Sequence, residues 1–125
     1  GVVHGSSPYD VLARMETMIL MSGLDLPLVE VRKMIASNIN LIVHQERMTD
    51  GSKKITHITE VEGLSKDGSH DVKLQDLFKF QIEKLDSDGK VTGELRSVIQ
   101  HYPTFFNKFE KLGLPIGNLF AMKKY

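Results

Sequence analysis

The 125-residue chain predicts an α+β fold, in which two helices are followed by antiparallel hairpins and a C-terminal helix. Three observations carry this. Behind the start signal Ser7-Pro8, apolar residues recur at the three-and-four spacing of one helix face. Asp50-Gly51 and Asp88-Gly89 each stand between alternating or β-branched runs, which is the mark of a tight hairpin turn. Pro103 then opens a stripe of Phe105, Phe106, Phe109 and Leu112.

Composition narrows the function classes. A chain that is 41% hydrophobic and 26% charged suits one domain, or a large piece of one, with a core to bury. Sixteen basic and sixteen acidic residues cancel, so there is no electrostatic ground for proposing nucleic acid or an anionic membrane as a partner. Without cysteine, disulfides and thiolate metal sites are excluded. No apolar run approaches the roughly 20 residues of a membrane helix. The opening Gly-Val-Val-His has no basic region and no initiator Met, and reads as a chain cut from a longer one inside a buried strand.

In order, Val2-Val3 reads as that leading strand, with His4 at its end. Ser7 is a good N-cap, Pro8 fits the first helical position, and Asp10 complements the helix dipole. Val11, Leu12, Met15, Met18 and Ile19 mark the buried face as far as Ser22, with Gly23 as the stop. Asp25 is the expected cap of a second helix, with Pro27 in its first turn and Leu28, Val31, Ile35 and Ile39 on its buried side. A strand over 40–48 turns at Thr49-Asp50-Gly51-Ser52 into a return strand over 54–61, then a polar loop over 63–71. Residues 72–85 fit both helix and strand spacing and are read as a short turn and then a strand, with 91–99 returning from the second hairpin turn. A helix over 103–112 and a short turn or helix over 115–122 close the chain.

Five segments carry a family resemblance: Val3-His4-Gly5-Ser6-Ser7-Pro8; Leu12 to Met18; Met21-Ser22-Gly23-Leu24-Asp25-Leu26-Pro27; Ile35-Ala36-Ser37; and Arg47 to Thr56 running into Ile58-Thr59-Glu60-Val61. In this order the chain resembles the C-terminal part of the ATPases of type II and type IV secretion and pilus assembly, above all their CpaF-like tight adherence branch. Residues 1–64 hold the strongest match, Leu74-Gln75-Asp76-Leu77-Phe78 extends it, and 65–125 form a hairpin and helix extension.

The resemblance implies the distal half of a RecA-like α/β domain. Its parent would bind ATP and Mg2+ between subunits of a homohexamer. Hydrolysis would drive secretion or Flp-type pilus assembly through an inner membrane platform protein, from a cytoplasmic position peripheral to that membrane. By family pattern His4 is the histidine of the His box, an accessory catalytic residue near the terminal phosphate, and Arg14 is the supporting arginine of the next helix. Gly5 departs from the alanine usual there, a change expected to loosen the local backbone.

Phosphate chemistry on a P-loop needs a Gly-rich turn with its Lys and a hydroxyl on the metal, and no Gly-x-x-x-x-Gly-Lys-Ser/Thr occurs in the chain. The isolated chain is therefore expected to be inactive and to carry no cofactor. An imidazole at His4 can donate to a γ-phosphate oxygen. Spacing alone gives His4 a capping or surface role as readily, and pairs Arg14 with Asp10 one helical turn earlier.

His44, His57, His70 and His101 lack metal-ligand spacing, although His44 and His57 can face each other across the first hairpin. Met15, Met18 and Met21 with Met34 form a face that resembles a soft binding groove, yet Met at helical spacing is more often core filler. The phenylalanine stripe is core if its helix packs on the sheet and a docking face if it projects. Ser6, Ser7 and His4 lack the carboxylate and oxyanion motif of a hydrolase. The second reading is a stand-alone protein-protein interaction module without nucleotide chemistry. In the isolated fragment a truncated sheet would expose an edge strand that a full domain covers, able to pair with a second copy.

Overall fold

A computed structural model describes residues 1–114, so the turn or helix expected over 115–122 lies outside the described residues. The elements run α1 (Pro8–Met21), α2 (Leu28–Asn38), β1 (Leu41–Arg47), β2 (Lys53–Leu64), β3 (Val72–Leu85), β4 (Val91–Ser97) and α3 (Phe106–Lys111). This is the expected α+β class, with three helices and an all-antiparallel sheet.

α1 starts where its residues require. Ser7 is extended and its hydroxyl accepts from the Asp10 N–H at 3.1 Å, while the Asp10 carboxylate accepts from the Ser6 N–H at 2.8 Å. α2 departs from expectation, because Asp25 does not cap it. Pro27 is the N-cap, and its carbonyl accepts from the N–H groups of Glu30 and Val31. Proline disfavours helical backbone in the residue before it, so Leu26 stays outside the helix.

Both expected antiparallel hairpins form, β1-β2 and β3-β4, and pairing of β2 with β3 joins them into one meander in the order β1-β2-β3-β4. The first turn is as predicted, with Gly51 at φ 84°, a region that favours glycine. β2 runs on to Leu64, which shortens the polar loop to 65–71. The turn expected at the start of 72–85 is absent. Leu74 pairs with Val61 and Gln75 with Glu60, so residues at helical spacing are strand neighbours on opposite faces. β3 pairs with β2 over 72–79 and with β4 over 78–85.

The leading strand is also not formed. Val2 and Val3 belong to an irregular segment, because two residues offer too few ladder bonds and no ladder joins them to β1.

One face of the sheet packs under α1 and α2. Leu12, Val31, Ile35, Ile42, Val61 and Val72 form its core, with Met15 against it. Met18, Met21 and Met34 are exposed and fill no core. The opposite face lies under a strap, residues 98–105, that leads into α3. There Ile99 and Phe106 are buried. Phe105 and Phe109 are half-buried with their rings 5.5 and 6.1 Å from that of Phe106, and Leu112 is exposed, so only the start of the aromatic stripe packs, on a helix shorter than expected.

Candidate functional site

β1 is a terminal strand, and along its outer edge runs a groove of about 750 Å³. Residues 1–5 form the far wall, Val11 and Met15 of α1 contribute to the lining, and all seven residues of β1 line it. His4 belongs to this wall, exposed and with no hydrogen bond to the described residues. The cap at Ser7 fixes the start of α1 just beyond it. Gly5 is pressed against the helix: a Cβ there would lie 2.7 Å from the Val11 Cγ2 atom. An alanine at this position would press on the buried Val11 methyl, so it is glycine that permits this close approach to α1.

Arg14 is not brought to His4. Its Nε donates to Asp10 Oδ2 at 3.0 Å on the exposed side of α1, and Arg14 does not line the groove. Hydrogen bonds from the Ser6 N–H and from Arg14 hold the Asp10 carboxyl below its ordinary range.

At its Arg47 end the groove is basic. Arg47 and Lys53 face each other across the first hairpin, both exposed, and neither forms an ion pair among the described residues. Of the acids near them, Glu46 meets His44 Nε2 at 3.2 Å. His44 and His57 are register partners, as anticipated, with their rings edge-on at 5.8 Å. The Thr56 hydroxyl lies 2.9 Å from His57 Nδ1. Among the described residues no group of three His, Cys, Asp or Glu is placed to hold a metal.

A second constellation escaped the sequence reading. Under the strap, Glu60 is 1% exposed and its Oε1 accepts from both the N–H and the hydroxyl of Thr104, the former at 2.8 Å. Glu62 accepts from Gln75 Nε2 at 3.2 Å and from His101 Nε2, with Lys73 at 3.6 Å. Gln75 Oε1 accepts from the N–H groups of Gln100 and His101 at 3.0 and 3.1 Å. Only Glu60 Oε2 in this group is buried without a partner. These directional bonds hold the strap in one place. The signal was there: Ile58-Thr59-Glu60-Val61 has apolar residues on both faces, which implies that both are covered and that Glu60 needs a buried donor.

No family model matches the chain, and no curated protein matches it. Among the described residues no helix is long and apolar enough to cross a membrane.

Proposed function

We propose that the chain is the C-terminal portion of an ATPase subunit that powers type II or type IV secretion or Flp-type pilus assembly, the distal half of its RecA-like domain. The reading rests on the ordered resemblance over residues 1–64. The single structural observation that supports it is the position of His4, exposed, unpaired and set just ahead of a rigidly capped helix. A side chain so placed is free to donate to an incoming phosphate oxygen without first giving up a protein partner.

ATP with Mg2+ supplies the scissile phosphoanhydride and its charge neutralisation, and the groups that cradle it belong upstream in the parent. His4 is the residue of this chain that reaches toward it, within a homohexamer acting on an inner membrane platform protein. Arg14 serves α1 through Asp10 rather than the nucleotide.

Magnesium-dependent ATP hydrolysis tests this, measured on the chain as it stands and on a version extended upstream through a P-loop. The short chain is expected to be silent and the extended one active. His4→Ala in the latter should lower kcat about 100-fold, the scale for losing one donor to developing charge, with KM for ATP nearly unchanged. Equal turnover with and without the imidazole would remove His4 from the chemistry. Silence in both chains would shift the weight to the interaction module.

A further inference from the structure

From the edge of β1 and the charges beside it, we infer that this groove binds an extended acidic peptide, which adds to the sheet as a fifth strand. The inference does not rest on nucleotide chemistry at His4.

Three features combine. β1 ends the sheet, so its outer backbone N–H and C=O groups have no ladder partner among the described residues. Such an edge is a template for another strand, which natural sheets usually block with a bulge, a proline or a covering segment. The irregularity in this pair, beside His44 and Gln45, puts its extra residue, Thr56, on β2 and not on the edge strand. Here the segment that runs nearest, residues 1–5, stands off across the groove and makes no ladder with β1.

The groove also has polarity along its length. At one end the outward residues of β1 are Leu41 and Val43, exposed by 46% and 58%. At the other are Arg47 and, directly opposite on β2, Lys53. Like charges facing each other across a ladder oppose sheet stability. Neither residue has an ion pair among the described residues to relieve this, since Glu46, which also lines the groove, meets His44 Nε2. An acidic side chain arriving beside Arg47 would do so.

The occupant follows from this pattern. In the antiparallel sense of the rest of the sheet, its N-terminal end lies by Arg47 and its C-terminal end by Leu41. It therefore carries one or two acidic residues first and β-branched residues after them, at every second position. Main-chain hydrogen bonds to β1 give the affinity, and the Arg47-Lys53 pair sets the register and the direction.

The probe is a synthetic heptapeptide with two leading Asp residues followed by alternating Val and Thr, titrated into the native chain and read by fluorescence anisotropy and by amide shifts along β1. Saturable binding at micromolar to sub-millimolar concentration is expected, with the largest shifts at residues 41–47. A peptide with Lys in place of the two Asp should bind at least about tenfold more weakly. N-methylation at alternate positions of the acidic peptide, which removes ladder donors and keeps the charge, should abolish binding. Arg47→Ala combined with Lys53→Ala should remove the preference for Asp over Lys, and the peptide arms test the native chain even if that variant folds poorly.

Equal binding of the Asp and Lys peptides, or an undiminished N-methylated one, would overturn the inference. So would no binding at millimolar peptide, or a chain whose β1 edge is already closed by a second copy at the same concentration. None of these outcomes bears on ATP hydrolysis by the extended chain, so the two readings fail separately.

Discussion

The face of the sheet under α1 and α2 is closed by apolar side chains around Val31, which is fully buried, whereas the face under the strap is held by Glu60, Glu62 and Gln75. Apolar burial has no direction, so the first face tells the helices to cover it without dictating a single placement. Hydrogen bonds to buried carboxylates are directional, and each buried acceptor penalises any placement that leaves it unpaired. The strap is accordingly tied at Gln100, His101 and Thr104, through backbone N–H groups in all three cases. One face supplies stability and the other supplies position.

Ile35→Ala breaks the comparison on its stronger side. Ile35 is 3% exposed in the helix-face core, and its truncation should cost about 2–5 kcal/mol in urea unfolding. The protected amides of β1, β2, β3 and both long helices should lose protection together, because this core joins those elements. Glu60→Ala tests the other face and should cost less, about 1–3 kcal/mol, for stranding the Thr104 donors. Its distinguishing outcome is spatial: the amides of Gln100, His101 and Thr104 should exchange faster while those of α2 and β1 do not. Uniform loss of protection would mean that the strap is simply part of the same cooperative core. Glu60→Gln, which keeps an acceptor oxygen, should lie between the parent and the alanine variant.

The helix face was largely legible in the sequence and the strap face was not, for a physical reason. Ser7-Pro8, the spacing from Val11 to Ile19 and the turn at Asp50-Gly51 are local signals, settled by residues within one or two turns of each other. They placed α1, β1 and β2 to within a few residues. Glu60 and Thr104 are 44 positions apart, so although the apolar residues on both faces of 58–61 mark Glu60 as covered, nothing local names Thr104 as its donor.

The same limit explains β3. Leu74, Leu77 and Phe78 satisfy a helical period, and only pairing with Val61 and Ile58 of β2 makes the segment a strand throughout. Val2-Val3 fails in the opposite direction, since strand propensity without a pairing partner makes no strand. For the candidate site, His4 was found from its place before α1. The basic pair Arg47-Lys53 was hidden until the hairpin register put the two opposite each other.

Asp50 sharpens the contrast from its small end, because it is a polar tie made in the open. Its carboxylate accepts from the Ser52 hydroxyl and N–H within its own turn, and from the Val91 N–H at 2.8 Å at the start of β4. It thereby joins the tips of the two hairpins. Those bonds, the Ser52 hydroxyl first, hold its carboxyl down from 3.8 to about 2. A carboxyl depressed in the folded state stabilises the fold above its unfolded value, and that contribution fades as pH falls from about 3.8 through about 2. Asp67, held to about 2 chiefly by the Ser69 hydroxyl, adds to the same window. The melting temperature should therefore decline across that interval. Asp50→Asn and Asp67→Asn should each flatten the decline, and only Asp50→Asn should also speed exchange of the Val91 amide at neutral pH. If position in this fold depends on buried polar ties alone, Asp50→Asn will leave the Val91 amide as protected as before. A faster Val91 amide would show that an exposed carboxylate also positions strands, and that the strap face differs from the hairpin tips in degree of burial rather than in kind.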